Sequence, residues 1–387
     1  MLVDSEKKIH LTYCQNVHPA ENWQQGFDAI KQNVPTIKSQ VSPNKSFGIG
    51  MRISDFASRE INDNKLAEFK EYLDCNDLYV FTINAFPYAN FSQPPVKKKV
   101  YLPTWAEKKR ADYTVKVAEI LSKIMPATDE IVGSISTVPL GYKSLRNQAE
   151  FLGSCAANIE NVAKKLRDIF EQTGQKIKLA IEPEPDCVIE TTAEAISFFD
   201  KYINESWIRD FIGICFDTSH QTVEFEDISQ SLAELISAEI QIPKVQMSSA
   251  FDFTGSKENI ELVSKFVDPV FLHQVKVLQN KSAIVSYEDL DVAIKNHKQA
   301  FEENWRVHFH VPVFSEKIGQ LNTTRNLLLG EFSKLAQSGV CNHFEIETYT
   351  WGILANQNQN QIQQGIVNEY RWVLENIFQQ RLDDNYC

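Results

Sequence analysis

Eight short β-like runs, each followed by a stretch of helical periodicity, constrain this chain more than any other feature. They are KIHLTYC (8–14), FGIGMRI (47–53), DLYVFTIN (77–84), and the runs at 130–137, 177–184, 211–217, 243–248 and 343–348. Strands that alternate with helices build a parallel sheet, and eight of them close it into an α/β barrel, the TIM (β/α)8 fold. Helices are expected at about 21–40, 64–75, 105–125, 145–174, 192–204, 226–239, 322–338 and 358–381. No breaker-rich linker and no fixed-period repeat divides the sequence, so one barrel over 1–387 is preferred to two domains. Two stretches exceed a minimal barrel: a long Pro-, aromatic- and Lys-rich loop at 86–110, and an insertion near the seventh strand at 250–304, expected to be mostly helical and to end in the β-like run WRVHFHVPV (305–313). Long loops of this kind commonly shape a site, and the insertion suits a lid or a contact in a homo-oligomer.

Composition narrows the function. Asp and Glu number 51 against 39 Lys and Arg, a net charge of −12. That field opposes approach to nucleic acid or to an anionic membrane. Residues 1–10 lack the basic start and apolar core of a secretory signal, and no apolar run approaches the ~18 residues of a membrane span, so a cytoplasmic protein with a small-molecule partner is expected. Seven cysteines with no CxxC or zinc-finger spacing read as reduced, buried thiols. Walker, GxSxG and GxGxxG patterns do not occur, which leaves nucleotide-dependent and serine-hydrolase chemistry without support.

Period-two alternation sorts the strand residues. Leu179 and Ile181 oppose Ala180, Glu182 and Glu184; Phe216 opposes Asp217; Val245 and Met247 oppose Gln246; Phe309 opposes His308 and His310; Ile346 opposes Glu345 and Glu347. Large apolar groups face the helices, and carboxylates, imidazoles and an amide face the barrel interior near the C-terminal strand ends, where barrel active sites are built. Isolated charges there are costly, and a divalent cation is the economical partner: Mn²⁺, Mg²⁺ or Zn²⁺ suits this set of donors. Glu182, Asp217, Gln246 and Glu347 are expected at one level of consecutive strands. His10 on the first strand, and His18, Trp23, Tyr88 and Trp351 beyond strand ends or in the long loop, are the expected substrate-binding residues.

The ordered motifs IEPEP (181–185), FDTSH (216–220), KVQMSS (244–249) and EIET (345–348) resemble the xylose-isomerase-like superfamily, which includes sugar isomerases, epimerases and the endonuclease IV group. The resemblance implies metal ligation by Glu182, Asp217, Gln246 and Glu347, with His220 as a further ligand or as a group that orients Asp217. His308 and His310 match the HxH strand of the epimerases equally well; Gln246 is preferred on its spacing from Asp217. HLTYCQNVHPAENW (10–23), STVPLGYK (136–143), EPEPDC (182–187), FDTSHQ (216–221) and IETYTW (346–351) are similar to the EboE family, metabolite-traffic proteins of the bacterial ebo cluster. The implied activity is a metal-dependent isomerase or epimerase acting on a hydroxycarbonyl or sugar-like metabolite, with Glu182 or Glu347 moving the proton. A non-catalytic metabolite-binding protein is the alternative, and a metal-dependent phosphodiesterase ranks below both.

Overall fold

Branched and aromatic residues at every second position of short runs favour pleated strands with one face against helices, and the computed structural model forms each of the eight expected strands. It describes residues 1–89, 96–128, 131–280, 282–296, 303–354 and 358–380. In chain order the strands are β1 (Ile9–Tyr13), β2 (Phe47–Arg52), β3 (Leu78–Asn84), β4 (Gly133–Thr137), β5 (Ile177–Ile181), β6 (Ile212–Asp217), β7 (Lys244–Met247), β8 (Ser249–Thr254), β9 (Val275–Gln279), β10 (Ala283–Tyr287), β11 (Asn304–Val311) and β12 (His343–Ile346). The barrel consists of β1 to β7 and β12, all parallel, with β12 between β1 and β7. A parallel bridge between Cys14 and Gly50 joins the β1 and β2 ends of the sheet. A short strand, Leu2–Asp4, adds antiparallel to β1.

Helices cover the outside. Asn22 caps the helix Trp23–Val41, and Thr191 with Glu194 forms a reciprocal capping box on Thr192–Tyr202. The outward residues of the strands, such as Ile135, Leu179, Ile214 and Phe344, are fully buried against these helices. Among the described residues no helix is long and apolar enough to cross a membrane, and the cysteines there are free.

The insertion differs from expectation. Where residues 250–304 read as mostly helical, β8 to β11 form a four-stranded antiparallel sheet in the order β10-β9-β11-β8, flanked by the short helices Lys257–Val263 and Leu290–Asn296. Its core is separate, with Phe251, Trp305, Val307 and Phe309 buried on one another. The sheet starts two residues after β7, so it grows from the C-terminal mouth of the barrel. Residues 90–95 of the expected loop, and 281 and 297–302 of the insertion, lie outside the described residues.

A buried ion cluster ties the insertion to the barrel. Lys276 of β9 reaches Asp186 (3.2 Å), Glu190 (3.1 Å) and Glu224 (2.9 Å), and Lys143 and Arg146 add cations at Glu190. Loss of one partner would strand buried charge, which makes the cluster specific about orientation.

The closing seam is sterically tight. A Cβ on Gly50 would lie 1.7 Å from Glu345 Oε1, whereas one on Gly153, in the helix Ala149–Thr173, meets open space. Chemical denaturation should therefore show Gly50→Ala destabilised by about 1–3 kcal/mol or more, and Gly153→Ala stabilised by about 0.5–1 kcal/mol. Equal effects at the two positions would contradict this packing of the seam.

Candidate metal centre

The C-terminal end of β6 sets the first part of the site. Asp217 ends the strand and caps the helix Thr218–Val223, its Oδ1 accepting from the backbone N–H of Ser219 (2.7 Å) and His220 (3.0 Å). Its Oδ2 is buried with no hydrogen-bond partner. The same helix turn holds His220, whose Nδ1 lies 2.8 Å from the carbonyl of Pro183.

The insertion delivers the second part. On β11, His308 Nδ1 lies 2.7 Å from Gln274 Oε1, and His310 Nδ1 lies 2.9 Å from the carbonyl of Glu347. Gln274 is oriented by its amide, which donates to Tyr101 Oη (2.9 Å) and to the Pro185 carbonyl (3.0 Å). All three imidazoles thus face carbonyl oxygens at Nδ1, and an oxygen of that kind only accepts. Nδ1 must carry the proton, and in a neutral ring Nε2 then carries a bare lone pair. The three Nε2 atoms nevertheless converge, His220 to His308 at 3.0 Å and His308 to His310 at 2.9 Å. Burial holds the rings neutral, pushing His220 down to about 3, His310 to about 4, and His308 well below the usual range. Converging lone pairs without a shared proton repel, and a cation is the group that would satisfy them.

Carboxylates surround this point. Glu182, Asp217 and Glu347 are buried together, and each carboxyl is pushed up, first by burial; Glu182 and Glu347 are also raised by neighbouring carboxylates. Three sets of ligand atoms lie within 4.8 Å of one another and could hold a metal ion: His220, His308 and His310; Glu182, Asp217 and His220; Asp217, His310 and Glu347. The buried, unpartnered Oδ2 of Asp217 and the bare Nε2 atoms fit a divalent ion.

The expected common level does not hold for all four residues. The register pairs Gln246 with Asp217 on one side and with Glu345 on the other, two residues short of Glu347. Gln246 Nε2 donates to Asn84 Oδ1 (3.0 Å), and its Oε1 is buried without a partner. It belongs to a polar layer below the site, where Lys244 pairs with Glu345 at 2.6 Å and Asn84 joins both.

The cavity above the cluster is lined in part by Glu182, Glu184, His220, His308, His310 and Glu347. None of the expected substrate-binding residues lines it. His10 faces inward but sits at the opposite, N-terminal end of β1, 2.7 Å from Tyr79 Oη. His18 bonds Tyr13 Oη (3.1 Å) and, with Trp23, lines a separate cavity. Tyr88 packs on Tyr113, and Trp351 donates to Glu369 (2.6 Å). Glu184, Tyr101, Asn16 and Tyr349 line the cavity above the cluster instead. Glu184 accepts from Tyr101 Oη (2.6 Å), and burial pushes its carboxyl up to about 8. Its position two residues after Glu182 on the same face was the available signal; Tyr101 and Tyr349 carried none.

A sequence profile of the family described as "Xylose isomerase-like TIM barrel" matches residues 45–274, more than half of the chain. Among solved structures, the IolI protein with a bound zinc atom is similar at TM-score 0.51 and 14% identity, over 95% of this chain and 99% of that one. A D-tagatose 3-epimerase-like protein follows at 0.50 and 12%, over 95% and 98%. A xylose isomerase domain protein from Planctomyces limnophilus gives 0.50 and 10%, over 96% and 97%. At these identities the likeness is one of fold. No curated protein is significantly similar in sequence to the chain.

Because the imidazoles are already neutral in the fold, the protons that a metal displaces come from the raised carboxyls. Stabilisation by Mn²⁺ or Zn²⁺ should therefore grow as pH rises and the raised carboxyls give up their protons. Melting curves against EDTA should show a gain of about 2.7 kcal/mol at ~100 times the dissociation constant, much reduced in Glu347→Gln and His310→Gln. A shift independent of pH, or unchanged in both variants, would contradict this ligand set.

Proposed function

The chain belongs to the xylose isomerase-like TIM-barrel family, and from that premise we propose that it is a metal-dependent isomerase or epimerase acting on a hydroxycarbonyl metabolite. The observation that carries this reading is the convergence of three bare imidazole nitrogens on buried carboxylates at the floor of one cavity. A divalent ion bound there, Mn²⁺, Mg²⁺ or Zn²⁺, supplies Lewis acidity to a carbonyl and an adjacent hydroxyl, which makes the C–H between them acidic. Glu182, Asp217, His310 and Glu347 would hold the ion, with His220 and His308 as further nitrogen donors and the unpartnered Oε1 of Gln246 in the layer below.

Glu182 follows β5 and Glu347 follows β12, so the two carboxylates approach the cavity from different strands. One takes the proton from carbon at its Oε atom; return of a proton to the same carbon from the other side inverts it, and return to the neighbouring carbon isomerises the compound. Asn16 Nδ2, 3.0 Å from Glu347 Oε1, orients that carboxylate.

A second reading is a metabolite-binding or delivery protein, as the similarity to the EboE family implies; the apolar upper wall of the cavity favours it. Capture of ligand from cell extract followed by mass spectrometry separates the two: an unchanged metabolite at stoichiometric level supports delivery, and a converted one supports catalysis.

Incubation of hydroxycarbonyl compounds with the Mn²⁺-loaded protein in D₂O should place solvent deuterium on the carbon between carbonyl and hydroxyl. Glu182→Gln and Glu347→Gln should each slow the exchange by about 10²-fold or more. Absence of exchange across a broad panel, with metal demonstrably bound, would overturn the catalytic reading.

A further inference from the structure

The cavity changes character between floor and opening. Its floor carries the carboxylates and imidazoles described above, whereas the wall toward the opening is formed by Phe86, Pro87, Val96, Val100, Phe271 and Leu272. The aromatic parts of this wall pack on two further rings of the lining: Phe271 on Tyr349 with ring centroids 5.2 Å apart, and Phe86 on Tyr101 at 6.1 Å. A polyhydroxylated ligand would press hydroxyl groups against these six apolar side chains, at a cost in desolvation.

Charge restricts the ligand as well. Lys97 lines the same cavity, but its ammonium is committed to Asp289 Oδ2 (2.6 Å) and to the carbonyl of Asp268 (2.7 Å). No arginine is among the described residues that line the cavity. A phosphate or carboxylate on the ligand would enter beside Glu182 and Glu347 with no uncommitted side-chain cation on the described wall to meet it.

We propose that the ligand of this cavity is an uncharged small molecule with an apolar ring body and two adjacent oxygen donors at one end, rather than a free sugar or a phosphorylated one. The proposal rests on the reading of the floor as a metal centre: the oxygens face the floor, and the ring lies against Phe271 and Phe86.

Three hydroxamates with one chelating head test it on the full-length protein loaded with Mn²⁺: acetohydroxamate, benzohydroxamate and the polyhydroxylated gluconohydroxamate. Direct titration of Mn²⁺ by electron paramagnetic resonance comes first, and calorimetry then gives the three affinities. Benzohydroxamate should bind at least about tenfold tighter than acetohydroxamate, from burial of its ring, and gluconohydroxamate no tighter than acetohydroxamate. Phe271→Ala should weaken benzohydroxamate more than acetohydroxamate. Equal affinities, a preference for the polyol head, or no hydroxamate binding to a protein that holds Mn²⁺ would overturn the ligand class and leave the metal centre standing. Failure of Mn²⁺ itself to bind would overturn the metal centre on which the proposal rests.

Discussion

Three imidazole rings whose Nδ1 protons are all committed to carbonyl oxygens meet nitrogen to nitrogen at 3.0 and 2.9 Å. Much of the surrounding structure serves this contact. Each acceptor is itself fixed: the Pro183 carbonyl by the turn after β5, Gln274 by Tyr101 and the Pro185 carbonyl, and the Glu347 carbonyl by its place directly after β12. Such an array is expensive in a metal-free protein, because neutral rings repel through their lone pairs and charged rings would be desolvated. Its buried position, beside three carboxylates, is the physical basis for proposing a cation at the barrel mouth.

The array also explains the insertion. His308 and His310 stand on β11, a strand of the antiparallel sheet rather than of the barrel. The sheet therefore supplies part of the centre, in addition to covering it. Its placement depends on the ion cluster of Lys276 with Asp186, Glu190 and Glu224. Asp186 and Glu190 lie in the turn that follows Glu182, so the same short segment carries a candidate ligand and the anchor of the element that brings the histidines.

The barrel was legible in the sequence because its strands alternate cleanly, and alternation reports which face a side chain occupies. It does not report height along the barrel axis. His10 faces the interior as alternation indicates, but at the N-terminal end of β1, and Gln246 pairs with Glu345 rather than lying level with Glu347, because staggered strands shift the layers. The insertion was illegible for a different reason. β9 and β10 have only five residues each, and β10 is an edge strand of mostly exposed side chains, so no buried-exposed period marks it. The HxH spacing on β11 was visible, but its arrival from outside the barrel depends on antiparallel pairing that no local pattern encodes. Proximity to a strand end does not place an aromatic ring in the mouth: Trp23 packs on Phe69 of the outer helices, and Trp351 donates to Glu369.

The most direct measurement is metal-edge anomalous diffraction from crystals grown with Zn²⁺ or Mn²⁺. The account predicts an anomalous peak bonded to Nε2 of at least one of His220, His308 and His310, and to Asp217 Oδ2, at about 2.0–2.2 Å, with the Nδ1 contacts retained. A structure without a peak in which one ring has turned to place its protonated nitrogen between the others would contradict it, as would a metal bound only at sites remote from these residues.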